Sequence, residues 1–190
     1  MSIQLAEVKI AYNIINKFFP YRGIKCLTEF NNDRILADLS TGHVIIHGEG
    51  LNVVIAAEVT SLDFNKDSTI KFISKVLRAV TGKVIFIIDN YTYESKKNVT
   101  SELMMIGKVY PFKTFVIPVP YHKDVPKHEI VDKEEVDALA ETDRIHIFDM
   151  PIISVNDPPI VWLGGETNQI VRITETSHTS GKTVLYLLIK

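Results

Sequence analysis

The strongest constraint on the fold is a short helix followed by two strands in residues 156–190. Asp157 is a good helix N-cap, and Pro158 suits the first helical position, where a missing N–H costs nothing. Gly164 and Gly165 supply the left-handed exit of a helix that is only one or two turns long. We therefore predict a helix-hairpin module within a small α+β unit.

The two strands of this module are predicted at residues 170–175 and 183–189, with a polar loop over residues 176–181. Every residue from 184 to 189 is aliphatic or aromatic, so the second strand is apolar on both faces. In so small a module, this pattern predicts that one face is covered by something else.

Residues 180–183 read Ser-Gly-Lys-Thr, which looks like the end of a phosphate-binding loop. Such a loop needs a glycine five residues before its second glycine, and this chain has Thr176 there. The loop also leads into a helix, whereas residues 184–189 predict a strand. We interpret Gly181 and Lys182 as a hairpin turn.

The first part of the chain alternates between helix and strand patterns. We predict helices at residues 3–19, 65–81 and 98–108, and strands at residues 43–47, 51–59, 83–89 and 114–119. Pro20 is expected to stop the first helix. The continuous Val-Ile-Phe-Ile-Ile run of the third strand is typical of a strand covered on both faces, as in an α/β sheet.

Prolines 118 and 120 mark a predicted boundary between two domains. We expect an α/β domain at residues 1–119 and a small α+β domain with a β-hairpin at residues 120–190, which makes the whole chain α+β. The second domain is also predicted to contain a short helix near residues 133–140.

Composition narrows the class of protein. A hydrophobic fraction of 46% and a charged fraction of 23% are those of a folded protein, and a net charge of −2 argues against holding nucleic acid by overall charge. The single Cys26 excludes an internal disulfide and a cysteine zinc cluster. We see no signal peptide and no apolar run of membrane length, so we expect an intracellular protein without a membrane segment.

The sequence offers little catalytic chemistry. Asp89, Glu94 and Lys96 resemble the acidic and lysine residues of a metal-dependent nuclease, but residues 91–97 read as a polar loop rather than the strand such a site needs. His43 and His47 lie too far apart along one strand to share an ion. We therefore expect no catalytic residues, no metal and no cofactor, with a nuclease as the less favoured alternative.

The last seventy residues contain several short motifs in a definite order. These are Val-Pro-Lys-His at 125–128, a charged short helix at 132–139, Pro151, Asp-Pro at 157–158, Leu-Gly at 163–164, Val-Arg-Ile at 171–173 and Ser-His-Thr-Ser-Gly-Lys at 177–182. In this order they resemble the fifth subunit of eukaryotic nuclear RNA polymerases and the archaeal counterpart of that subunit. The first 120 residues resemble the eukaryotic jaw domain in architecture and position only.

This resemblance implies a non-catalytic polymerase subunit within a heteromeric complex. Its assembly domain would dock on the largest subunit near the sixth-subunit homologue, and its jaw would lie beside downstream duplex DNA. The residues expected to support docking are Pro126, His128, Asp157, Pro158, Trp162, Gly164, Gly181, Lys182 and Tyr186. Lys96 and Lys97 are the candidates for phosphate contact.

Some positions depart from the family pattern. Glu175, Thr176 and Leu187 stand where the family usually has basic residues, which puts contacts to acidic partner groups in doubt. The amino-acid sequence of residues 157–165, with a double proline and a tryptophan, looks most like versions from large cytoplasmic DNA viruses. The expected location is then the host cytoplasm or virion, or the nucleus for a cellular protein. A free-standing transcription adaptor that borrowed the assembly domain is the second alternative.

Overall fold

The computed structural model describes residues 3–56, 67–88, 107–142, 149–177 and 181–190. The chain splits into two compact units, Met1–Ile117 and Pro118–Lys190. Both contain helices and a β-sheet, so the predicted α+β class is confirmed. No helix in the described part of the chain is long and apolar enough to cross a membrane.

The first unit is built on a four-stranded mixed sheet. Its described elements are α1 (Ile3–Asn13), a π-helical turn (Ile14–Phe18), α2 (Phe19–Tyr21), α3 (Asn32–Leu39), β1 (His43–His47), β2 (Leu51–Ala56), α4 (Asp67–Ala79), β3 (Lys83–Ile88), β4 (Gly107–Pro111) and α5 (Lys113–Val116). The strand order is β1-β2-β3-β4; β1 and β2 are antiparallel, and β2, β3 and β4 are parallel.

The middle strands of this sheet form the core of the unit. All six residues of β2 are buried, as are all residues of β3 after Lys83, which confirms the prediction of a strand covered on both faces. Ile73 and Val76 of α4 pack against one face, where they contact a cluster that includes Val54 and Phe86. The predicted hairpin of β1 and β2 is also confirmed.

Pro20 does not stop the first helix, contrary to prediction. The helix passes through a π-helical turn in which the Phe19 N–H donates to the Ile14 carbonyl five residues back, and it continues to Tyr21. A π-turn shifts the hydrogen-bond register by one residue, and Pro20 then occupies the first turn of α2, where its missing N–H costs little.

The structure also contains a helix, α3, in a stretch for which the sequence suggested no element. Asn31 caps this helix, because its side-chain oxygen accepts hydrogen bonds from the N–H groups of Asp33 (2.9 Å) and Arg34 (3.3 Å). The Asn-Asn-Asp cap chemistry was the available signal for this helix, and only a short apolar pattern, Ile35 and Leu39, accompanies it.

The strand predicted at residues 114–119 is wrong. Residues 113–116 form the short helix α5, and the last strand of the sheet is β4 at residues 107–111, which overlaps the end of the helix predicted at 98–108. Tertiary contacts override strand propensity here: Phe115 is buried, and the Asn13 side chain donates to its carbonyl oxygen (2.9 Å). Residues 98–106 lie outside the described part of the chain.

The second unit also has a four-stranded sheet. Its described elements are a 3₁₀ turn (Val119–Tyr121), β5 (Lys127–Ile130), α6 (Lys133–Thr142), β6 (Ile152–Ile153), α7 (Pro158–Leu163), β7 (Ile170–Ser177) and β8 (Gly181–Ile189). The strand order is β5-β7-β8-β6; β7 pairs antiparallel with both β5 and β8, and β6 pairs parallel with the last two residues of β8. The helix-hairpin module and the short helix near residue 133 are confirmed.

Each face of this second sheet has its own apolar cluster. Val136 of α6 packs on the face that carries Ile170 and Leu188. Ile160 of α7 packs on the opposite face, against Val171 and Ile189. The two helices therefore hold the same end of the β7–β8 hairpin from opposite sides.

Gly165 is required by close packing at this end of the sheet. A Cβ atom at this position would lie 2.7 Å from Ile160 Cγ2 and 2.9 Å from Ile189 Cδ1, and both neighbours are fully buried.

We predict that Gly165→Ala destabilises the second unit by about 1–3 kcal/mol through overpacking. The matched control is Gly181→Ala, where nothing lies within 4 Å but φ is +73°, so the cost is about 1 kcal/mol of backbone strain. Trp162 is the chain's single tryptophan and lies in this unit, so urea unfolding followed by its fluorescence measures both changes. A loss for Gly165→Ala smaller than that for Gly181→Ala would contradict the packing argument.

Candidate docking surface of the second unit

Pro126 and His128 form one local structure at the start of β5. The His128 ring is buried, with 7% exposure, and its Nδ1 lies 2.7 Å from the Pro126 carbonyl oxygen. Because a carbonyl can only accept, Nδ1 donates this hydrogen bond, which fixes the orientation of the ring. Pro126 is half-buried. The pair stabilises the entry to the sheet and exposes little of the imidazole.

Asp157 lies at the N-cap of α7, as predicted, but its side chain makes no capping hydrogen bond. An N-cap side chain accepts from the second or third N–H of a helix, and the second residue here is Pro159, which has none. Burial raises the pKa of the Asp157 carboxyl, and the interaction with His128 acts in the opposite direction. These two predicted docking residues are thus electrostatically coupled.

The other predicted residues of α7 start the helix, end it or pack in the core. Pro158 occupies the first helical position, and Gly164 ends the helix in the left-handed conformation with φ of 81°. The Trp162 side chain is fully buried and meets the Tyr121 ring edge-on at 6.5 Å between centroids. Trp162 is therefore a core residue, whereas its ring partner Tyr121 is 51% exposed.

Gly181 and Lys182 begin β8, and both are exposed, so they are paired strand residues and not the hairpin turn predicted from sequence. Gly181 pairs with Ser177 and has a positive φ, and Lys182 pairs with Thr176. The chain continues from Lys182 as a strand and not as the helix that follows a phosphate-binding loop.

Tyr186 belongs to a polar network that the sequence did not reveal. Its hydroxyl donates to Glu135 Oε1 (3.2 Å), and the same oxygen accepts from Nη1 of Arg172 (2.6 Å). Arg172 also donates to Glu129 (3.3 Å), which pairs with Lys127 (2.7 Å) and has its pKa lowered chiefly by that hydrogen bond. The cross-strand register sets Arg172 between Glu129 and Tyr186, and α6 supplies Glu135.

The part of β8 near the hairpin tip exposes apolar side chains on both faces. Val184 is 40% exposed and Leu185 is 50% exposed, whereas Leu188 and Ile189 at the other end are buried. Ile173, the cross-strand partner of Leu185, and Leu187 are half-buried on the same face. Val184 lies on one face of the hairpin, and Ile173, Leu185 and Leu187 lie on the other. We call these four residues the hairpin patch, and none of them is in the set predicted from sequence.

Other predicted sites are not built by the described residues. Asp89, Glu94, Lys96 and Lys97 lie outside that part of the chain. His122 lies on the surface, 3.6 Å from Asp124. Within the described ranges, no group of three or more His, Cys, Asp and Glu side chains is placed to hold a metal ion.

Comparisons with known proteins bear on this second unit first. The family model for the C-terminal domain of RNA polymerase Rpb5 matches residues 117–189. A protein of Methanococcus vannielii named DNA-directed RNA polymerase subunit Rpo5 is 37% identical over 71 residues, which cover 37% of this chain and 91% of that protein. The chain belongs to the Rpb5 family.

Viral relatives align with a longer stretch of this chain than the archaeal protein does. A protein of African swine fever virus named DNA-directed RNA polymerase RPB5 homolog is 30% identical over 115 residues, which cover 56% of each of the two chains. An alignment of this length does not fit within residues 118–190, so the similarity extends into the first unit. The chain spans about half the length of these viral relatives, and the expected likeness to viral Rpb5 versions is confirmed.

We predict that Asp157→Asn stabilises the second unit at neutral pH by less than about 1 kcal/mol, because no side-chain capping bond is lost and asparagine carries no charge to bury. Since burial raises the folded-state pKa of Asp157, its ionisation costs stability above that pKa, and the cost disappears as the pH falls below the ordinary range near about 4. The stability that Asp157→Asn adds should therefore vanish in acid, as measured by urea unfolding at several pH values.

Asp132→Asn is the matched control. Asp132 is exposed and accepts a hydrogen bond from the Glu135 N–H (2.8 Å) at the start of α6. Loss of its charge should leave stability unchanged or slightly lower, because an anion favours a helix N-terminus. A gain equal to that of Asp157→Asn would contradict the burial argument.

Proposed function

We propose that this chain is a subunit of a multisubunit DNA-directed RNA polymerase and has no active site of its own. The second unit docks on the largest subunit near the sixth-subunit homologue, and the first unit lies as a jaw beside downstream duplex DNA. The protein then acts inside the cell, in the host cytoplasm or virion if it is viral. No cofactor is needed for this role.

One observation carries the proposal. A stretch about the size of the second unit matches nearly the whole length of archaeal proteins named as RNA polymerase subunits, including 87% of the Rpo5 protein of Methanocaldococcus jannaschii at 40% identity. The Rpb5 C-terminal model matches the same unit almost residue for residue in its bounds. The second unit is therefore the part that supports a polymerase role.

The chemistry of the second unit favours attachment over catalysis. Arg172, Glu129, Glu135 and Lys127 pair with one another in the described polar network. The hairpin patch, in contrast to this charged network, exposes aliphatic side chains. A protein interface buries such side chains at its centre and keeps charges at its rim.

We predict that the tagged full-length chain, expressed at its native level, copurifies with a multisubunit polymerase in equal stoichiometry. Leu185→Lys should reduce the recovered polymerase at least about tenfold, because a charge would be buried at the interface. Leu27→Lys is the matched control, since Leu27 is similarly exposed, at 58% against 50%, but lies in the first unit. Quantitative mass spectrometry of the purified material measures both.

Two other outcomes distinguish the rival functions. Recovery of the chain alone, or with substoichiometric polymerase, would favour the free-standing adaptor. Metal-dependent DNA cleavage by the isolated chain that Asp89→Asn abolishes would favour the nuclease.

A separate prediction concerns the first unit and DNA. Replacement of both Lys96 and Lys97 by glutamine should weaken retention of downstream DNA by the whole polymerase, because each lost phosphate contact reduces affinity and its salt dependence. The pair Lys71→Gln and Lys75→Gln, two exposed lysines of α4, is the control. DNA retention is measured over a salt series, and no change at low salt would remove Lys96 and Lys97 as DNA contacts.

A further inference from the structure

The outer edge of β8 is only partly paired within the second unit. β6 occupies this edge at Leu188 and Ile189 alone, and it is two residues long. Among the described residues, no strand lies beside residues 181–187 on that side, whereas β7 pairs with all of them on the other. β8 is thus an interior strand at its C-terminal end and an edge strand before it.

The hydrogen-bond pattern identifies the backbone groups that face this edge. The Ile189 N–H donates towards β7, to the Gln169 carbonyl (2.9 Å), and the Leu188 N–H donates the other way, to the Pro151 carbonyl (2.9 Å). The register between β7 and β8 is unbroken from Leu188 to Gly181, so the alternation continues along the strand. The peptide groups of Lys182, Val184 and Tyr186 therefore point outward.

The side chains beside this edge are apolar on both faces. Val184 lies on the face covered by α6 farther along, and Leu185 lies on the face covered by α7, yet both are at least 40% exposed. Natural edge strands are usually protected by charges, prolines or bulges, and here Lys182 alone stands at the start of the stretch. Such an edge is suited to pairing with another chain.

We propose that an extended segment of the polymerase subunit on which this chain docks adds to the sheet as a strand along residues 182–186 of β8. The segment continues the line of β6 on the same edge and presents apolar side chains to Val184 on one face and Leu185 on the other. Backbone hydrogen bonds to residues 182, 184 and 186 then supply affinity, and the two apolar contacts supply selectivity. This inference rests on the proposed polymerase function and specifies how the docking is made.

Strand addition makes a prediction that side-chain docking does not. Hydrogen–deuterium exchange with single-residue fragmentation is measured on the isolated full-length chain and on the polymerase purified through it. The amides of Val184 and Tyr186 should exchange fast in the isolated chain and at least about tenfold more slowly in the complex, because they gain partners only there. The amides of Leu185 and Leu187, which face β7, should be slow in both samples.

A backbone variant tests the same point by another route. Val184→Pro removes the outward N–H, and edge strands tolerate proline at such a position. It should lower the retained polymerase about tenfold, whereas Val184→Thr, which keeps both the N–H and the shape, should change retention less than about threefold. Urea unfolding followed by Trp162 fluorescence verifies that each variant is folded, and the exchange measurement stands alone if Val184→Pro is not.

The outcomes separate this inference from the function on which it rests. If no polymerase is recovered with the wild-type chain, the proposed function is wrong. If polymerase is recovered but the amides of residues 184 and 186 gain no protection relative to those of 185 and 187, the chain docks without strand addition and the inference is overturned. Alternating protection together with the loss in Val184→Pro supports it.

Discussion

The antiparallel pairing of β7 with β8 is the interaction on which the second unit depends. It places Val171 and Ile189 on one face for α7 and Ile170 and Leu188 on the other for α6. The same register sets Arg172 between Glu129 and Tyr186 and so assembles the polar network. A shift of one residue would move every side chain to the opposite face and would remove both clusters at once.

The sequence predicted the regular elements where period, propensity and turn chemistry agreed. The β7–β8 hairpin, α7 with its proline start and glycine end, and the buried β3 were all predicted from residues alone. One failure occurred where a distant contact decided the local structure. Residues 114–116 read as a strand, but the Asn13 side chain, about a hundred positions away, binds the carbonyl oxygens of Phe115 and Val116 in a helical turn.

In the candidate site, too, some residues could be selected from the sequence and others only from the structure. Pro126, Pro158, Gly164 and Gly181 were selected from motifs; the structure puts Pro158 and Gly164 at the two ends of α7, Pro126 directly before β5 and Gly181 at the start of β8. The hairpin patch needed the structure, because the apolar pattern of β8 predicts two buried faces without saying which residues the unit itself covers. That distinction depends on where α6 and α7 end along the strand, and these short helices reach only its last residues.

The two-residue length of β6 has a further consequence for how the second unit opens. Leu188 and Ile189 are held by strands on both sides and by helices on both faces, so their release requires unfolding of the whole unit. Toward Gly181, β8 has exposed side chains and, within the described residues, only β7 as a neighbouring strand, so this part of the strand has fewer contacts to hold it. One strand thus spans a gradient of local stability, and changes to the exposed side chains of Val184 and Leu185 should cost the fold less than changes to the buried Leu188 and Ile189. The constraint on Val184 and Leu185 comes instead from whatever binds there.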